Sequence, residues 1–314
     1  MVLMGQPDGV CRLYDFISHF HVMALFAVSG FVWKRNAVGF WHSLKKNFIH
    51  LMVPYYIFAI FAMVIAFTSQ FLIGGSVSPN YSLSDDIKIV MMAGRPNCYA
   101  PLWFMSCLFA VQTLYYWFSP ILRHAVVSVL ILILLAYIDK CSLGYLCKTP
   151  ALNLVVIPRY FIMFAIGNLL GAYLRRSFVV SRFVRVGLFL AGVVVLLIAA
   201  QKDVFAFKFS WAFMIPLVAA VIVGATMAIA IAIDNKVLSW IGQGEMTLGI
   251  LCLHKYPIVV MQKYLILSAF GSSESMVLPM SVLMSVVAVA FSIGGTIVIT
   301  KHIPWMFGRI SERK

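Results

Sequence analysis

The stretch FHVMALFAVSGFVWKRN, Phe20 to Asn36, decides how the rest of the chain is read. An apolar run carrying one histidine, His21, closes on Ser29, Gly30 and Phe31 and then meets Lys34 and Arg35. Charge arriving abruptly after an apolar run marks a membrane helix leaving the bilayer on its basic, cytoplasmic side. A histidine inside such a run is costly unless it has a partner or a task. Both readings of His21 stand at this point: a packed imidazole bonded to a neighbouring helix, or a group with chemistry to do.

Composition extends that reading to the whole chain. Hydrophobic residues make up 63% and charged residues 11% of 314 residues, and the mean hydropathy is +0.99. Soluble domains run nearer a quarter charged, so the expected fold class is all-α, a polytopic membrane helix bundle. A chain of this length holds about nine or ten spans at roughly 20 residues each. Spans are placed at about 16–33, 52–73, 100–118, 122–138, 152–174, 183–200, 211–233, 248–270 and 277–300, within one integral-membrane domain covering 1–314.

The connecting segments alternate in charge. Lys34, Arg35, Lys45 and Lys46 lie in loop 34–50, and Arg175, Arg176, Arg182 and Arg185 lie in and beside loop 175–182. Lys301, Arg309, Arg313 and Lys314 follow the last span. These clusters fall on one side, the cytoplasm, which also takes the C-terminus. The opposite loops balance their charges: Asp85 and Asp86 against Lys88 and Arg95, Asp139 against Lys140 and Lys148, Asp203 against Lys202 and Lys208. The net charge of +14 is thus mostly a topology signal, and no nucleic-acid partner is expected. No cleavable signal peptide, Gly-rich phosphate loop or Cys–Cys zinc pattern stands out, so no metal site is assigned. The same count puts the N-terminus outside, and an additional helix before residue 1 is expected to carry it there.

Several groups within the spans are not apolar. Arg159 follows Pro158 near the outer end of its span, Lys263 lies near the outer end of the eighth, and His254 and Lys255 lie near that span's inner end. A rise of about 1.5 Å per residue puts His21, Arg159 and Lys263 at similar depth, roughly 8–10 Å below the outer surface. An intramembrane arginine normally faces a bundle interior, a cavity or a partner, and Pro158 loosens the helix beside it. Lys263 has a simpler reading, snorkelling to the interface. His19 lies about 200° around the helix from His21, so the two do not form one site. Six cysteines are too scattered for a disulfide framework. Cys141 and Cys147 share an outer loop where an oxidising compartment would allow pairing.

Four segments, FHVMALFAVSGFVWKR, LKKNFIHLMVPYYIF, PLWFMSCLF and WIGQGEMTLGILCLHKYPIVV, resemble in content and order the integral-membrane acyltransferase-3 family, especially its sugar O-acetyltransferase branch. RYFIMFAIGNLLG, Arg159 to Gly171, is similar to the family's middle helices. The resemblance implies about ten membrane helices in a bacterial cytoplasmic membrane. It implies transfer of an acetyl or other acyl group from acyl-CoA (acetyl-CoA), a co-substrate and not a resident cofactor, to a hydroxyl of a surface polysaccharide or lipid-linked sugar. It places Phe20, His21, Ser29, Gly30 and Phe31 in the second family helix, Trp103 in the Pro-Leu-Trp-Phe motif and His254 in the late Leu-His motif.

On that reading His21 or His254 serves as base and Arg159 or Trp103 as donor to the developing oxyanion. Lys34, Arg35, Lys45, Lys46, Arg175 and Arg176 offer a dock for the coenzyme's phosphates, although the positive-inside rule alone would also put them there. The chain departs from the family pattern in three places. Gly5–Gln6 stands where the family has Gly-His, and glutamine takes no proton at neutral pH. His50 replaces an arginine and Met23 a proline. Either the start lies upstream or the chain is a degenerate copy. A lipid-linked-sugar transporter or flippase is the competing reading, and related halves or interrupted helix pairs would mark it. An inactive homologue is the third.

Overall fold

The computed structural model describes residues 22–35, 39–72, 82–124, 151–177, 244–257 and 274–307, with isolated positions in 127–138 and 186–194 and at 224, 236 and 240. Every regular element among the described residues is helical. In chain order these are α1 (Val22–Val32), α2 (Phe40–Asn47), α3 (Val53–Leu72), α4 (Leu83–Met91), α5 (Trp103–Phe118), α6 (Ile157–Ser177), α7 (Gly244–Leu253) and α8 (Glu274–His302). Among the described residues two helices are long and apolar enough to cross a membrane, Phe40–Thr68 and Leu283–His302. The predicted spans 183–200 and 211–233 fall outside the described residues apart from isolated positions.

Three helices form the centre, and their ring contacts fix their direction. At one end Phe26 meets Phe104 at 4.9 Å and Tyr160 at 4.4 Å, while Trp103 meets Tyr160 at 5.3 Å. At the other end Trp33 meets Tyr115 at 5.1 Å and Phe164 at 6.3 Å, and Tyr115 meets Phe164 at 5.0 Å. Residue numbers climb together along all three, so α1, α5 and α6 run parallel, as the first, third and fifth spans of an alternating chain must. The long helix beginning at Phe40 runs the opposite way: Phe40 lies 4.8 Å from Trp117, and eight residues on Phe48 lies 5.9 Å from Phe109.

Without a hydrophobic drive between helices in lipid, close approach of backbones holds them together. A Cβ on Gly30 would occupy the Phe164 carbonyl, and one on Gly167 the Ala27 carbonyl. Gly171, one turn beyond Gly167, sits against Phe31 in the same way. The Gly167–Gly171 pair is a small-xxx-small face of α6 that α1 fills.

Two expectations about segment 34–99 are corrected. Residues 40–50 are helical where a loop was expected, and the helix holding the second span starts at Phe40, not 52. Lys45 and Lys46 lie in the expected loop 34–50, but a π-turn over Phe48–Met52 carries the helix from them through Pro54. A proline clashes with the carbonyl four residues back, here His50, and the wider turn just before Pro54 relieves it. The resulting Phe40–Thr68 helix of 29 residues is about 44 Å long, more than the roughly 30 Å hydrocarbon core. Its first turns, with no buried residue in α2, therefore extend past the apolar layer.

The expected outer loop 74–99 also carries structure. Ser82 caps α4 by accepting the Asp85 N–H at 3.4 Å. The fully buried Asp86 accepts N–H bonds from Asn97 at 2.7 Å and Cys98 at 2.9 Å, which folds the chain back on itself. The Tyr55 hydroxyl then donates to the Gly94 carbonyl at 2.9 Å, docking the returned segment against α3.

Candidate functional site

The returning segment ends at Tyr99, whose position ties two distant parts of the chain together. Its hydroxyl accepts the Lys255 backbone N–H at 3.1 Å and donates to the Leu251 carbonyl at 3.4 Å. The Tyr256 ring stacks on Tyr99 at 4.9 Å, and the Lys255 ammonium lies 5.5 Å from the Tyr99 ring centre. One turn further, the Cys252 thiol meets the Met105 sulfur at 3.8 Å. These contacts set α7 antiparallel to α5 and bring residues 251–256 level with the start of α5.

That level corrects the depth expected for His254. Counting from the inner end of the eighth span placed it on the opposite side from Arg159. In the structure it follows α7 directly, beside the Tyr99 contacts and therefore at the end of the bundle that holds Trp103 and Tyr160. His254 Nδ1 lies 2.9 Å from the Ile250 carbonyl and 3.0 Å from that of Leu251. A carbonyl only accepts, so Nδ1 carries the hydrogen and the lone pair is left on Nε2.

Arg159, in the first turn of α6, is partly buried and engaged by its surroundings. The next residue, Tyr160, joins Trp103 and Phe26 in the aromatic cluster at this end. His21 lies outside the described residues, and Val22 after it opens α1 one turn before Phe26. Gln6, His19, Lys263, Cys141 and Cys147 are likewise outside the described residues.

The cations gather at the other end. Lys34 and Arg35 are exposed where α1 ends, and Arg35 places its guanidinium carbon 4.7 Å from the Tyr116 ring centre. Lys45 and Lys46 are exposed on α2. Arg175 and Arg176 belong to the last turn of α6, one turn past the Gly171 contact with α1; their side chains lie outside the described set. From Trp103 to Tyr116 along α5 is about 20 Å. A thirteen-residue stretch of helix thus separates the histidine–arginine–tryptophan end from the basic end.

Sequence reasoning passed over several residues here. Asn153 adopts a positive φ of 52°, which asparagine tolerates, and its amide donates to Ser106 Oγ at 3.1 Å and the Trp103 carbonyl at 3.5 Å. Ser106 donates to the same carbonyl at 3.0 Å, so the first turn of α5 is held from two sides. The Tyr256 hydroxyl is buried with no hydrogen-bond partner among the described residues. Such a group is uncommon and suits a ligand's polar atom. The signal available was a polar residue inside or beside an apolar run.

Cys98 lies partly exposed beside Asp86, and burial first, then the hydrogen bond and negative charge of Asp86, push its thiol up to about 12. Among the described residues no group of three or more His, Cys, Asp or Glu side chains is placed to hold a metal.

The family model described as "Acyltransferase domain" matches residues 2–301. No curated protein and no solved structure matches the chain. A match across nearly the whole length joins a helical bundle with apolar, membrane-length helices, and on these grounds the chain belongs to the acyltransferase-3 family of membrane acyltransferases.

Proposed function

We propose that the protein transfers an acetyl or other acyl group from a coenzyme A thioester to a hydroxyl of a surface polysaccharide or a lipid-linked sugar, in a bacterial cytoplasmic membrane with the C-terminus inside. One observation carries the reading: exposed cations at one end of α5 and an imidazole held through Nδ1 at the other, about 20 Å apart. Acyl-CoA has that division, with nucleotide phosphates at one end of a long arm and a thioester at the other.

Lys34, Arg35, Lys45, Lys46, Arg175 and Arg176 are the proposed phosphate dock, Arg by paired donors and Lys as point charges. At the far end a histidine takes the proton of the acceptor hydroxyl as its oxygen attacks the thioester carbon. His254 is oriented for this by its two carbonyl partners, and His21 is the alternative base. Gln6 stands where the family's first-helix histidine is expected and carries no such proton. Arg159, the Trp103 indole N–H and the Tyr256 hydroxyl are the proposed donors to the carbonyl oxygen as it gains charge. Collapse breaks the carbon–sulfur bond, and the thiolate leaves with the proton held by the imidazole, giving the sugar ester and free coenzyme A.

The test is release of free thiol from acetyl-CoA by purified protein with and without a polysaccharide acceptor. Acceptor-dependent release, with label appearing in an alkali-labile ester, is expected. An acceptor carried across a vesicle membrane unaltered would support the flippase reading in its place.

A further inference from the structure

We infer that Asn168 is a positioning residue for the acyl-CoA dock: its carboxamide closes the C-terminal turn of α1 and fixes where Lys34 and Arg35 leave the bundle. The inference rests on the reading of those cations as a coenzyme A dock.

A helix end leaves carbonyls without intrahelical partners, and in an apolar layer they cannot turn to water. At the end of α1 the Trp33 N–H reaches the Ser29 and Gly30 carbonyls, both at 3.1 Å. Asn168 of α6 donates through Nδ2 to the Gly30 carbonyl at 2.9 Å and to the Trp33 carbonyl at 3.0 Å. Its Oδ1 accepts the Tyr115 hydroxyl of α5 at 3.0 Å. Both amide hydrogens and the acceptor are thereby used, and one side chain joins all three central helices.

The consequence for the dock follows from adjacency. Trp33, whose carbonyl is held, is two residues before Arg35, whose guanidinium lies over Tyr116. Tyr115, which anchors the amide, is the residue before Tyr116. The chain from Trp33 to the Arg35 head group is therefore pinned at both ends through consecutive residues of α5. The close backbone approach of α1 and α6 is supplied by Gly30 against Phe164, Gly167 against Ala27 and Gly171 against Phe31, none of which is a contact of the amide. The carboxamide thus has a separate task, holding the exit of the chain.

The experiment compares acetyl-CoA with acetyl-pantetheine, the same kind of thioester without nucleotide phosphates, in wild type, Asn168→Leu, Arg35→Gln and the double variant. Asn168→Leu is expected to raise KM for acetyl-CoA about tenfold, the usual scale of a lost charge-assisted contact, with kcat and the acetyl-pantetheine KM unchanged. The double variant is expected to show less than the product of the two single effects. Tyr115→Phe keeps the ring and both Nδ2 bonds while releasing Oδ1, so it should raise the same KM by a smaller factor; it decides the matter if Asn168→Leu does not accumulate. Equal losses with both donors would make the amide merely structural and overturn the inference. A KM raised by Arg35→Gln but not by Asn168→Leu or Tyr115→Phe would overturn the inference and leave the dock. An acetyl-CoA KM untouched by Arg35→Gln would overturn the dock and the inference with it.

Discussion

The Nδ1 hydrogen of His254 is held by the Ile250 carbonyl at 2.9 Å, four residues back along α7, and this bond leaves Nε2 as the basic nitrogen. His254→Asn keeps a donor near the Nδ1 position and removes the base. If His254 abstracts the acceptor proton, both His254→Asn and His254→Ala lower acyl transfer by about 10²–10⁴-fold, the range of general-base catalysis. Transfer rates normalised to protein level in membranes check it. Near-normal activity in His254→Asn would give the imidazole a structural role and move the base to His21.

Gly167 lies against the Ala27 backbone, so a side chain there must drive α1 and α6 apart. Gly167→Leu is expected to cost about 1–3 kcal/mol or more, as overpacking does, and to lower the midpoint of thermal unfolding in detergent. Gly244, with no atom of the described residues near the position of its missing Cβ, is the control, and Gly244→Ala should leave the midpoint nearly unchanged.

Much of the centre of the fold was legible in the sequence because lipid enforces a simple pattern. Uncharged runs such as VPYYIFAIFAMVIAF and Trp103–Phe118 are helices. The start of the second span was misjudged because Lys45 and Lys46 are ordinary loop residues, and a π-turn that bridges a proline leaves no mark in composition. The depth of His254 was misjudged because counting residues from a span boundary assumes that boundary, while the pairing of Tyr99 with residues 251 and 255 joins segments more than 150 positions apart. Trp103 opens α5 and Arg159 lies in the first turn of α6, at one end of the bundle. Asn168 stood in view inside GNLLG, but nothing local says which carbonyls a lone amide will cap.

Cys98 supplies a pH-dependent readout of the folded-back segment. Its thiol, ordinarily near 9.0, is raised to about 12 by burial and by Asp86. The favourable contribution to folding is complete below about pH 9 and is lost as pH rises from there toward 12, because the unfolded thiol ionises first. In a variant retaining Cys98 alone, alkylation should be slow at pH 8 and keep accelerating beyond pH 10. Asp86→Asn should shift that profile to lower pH. A profile for the parent with its midpoint near 9 would place Cys98 in water and undo the folded-back geometry.

Because Arg159 is followed by a tyrosine stacked on Phe26 at 4.4 Å, its backbone position depends on α1 as well as α6. Phe26→Ala should lower kcat as well as stability, since truncating a buried phenylalanine costs about 3–5 kcal/mol and loss of the ring frees the start of α6. Phe26→Leu, keeping most of the volume, should restore stability more than kcat. Parallel recovery of both would assign the stack to stability alone.

The most direct measurement of the central claim uses sealed proteoliposomes of one orientation, with radiolabelled acetyl-CoA supplied to a single face and a polysaccharide acceptor present. Label is predicted to reach the acceptor as an ester only when the donor is on the face that carries Lys34 and Arg35, and to be lost in His254→Asn. Folded protein that esterifies no acceptor from acetyl-CoA on either face, or that works equally from both, would contradict the account.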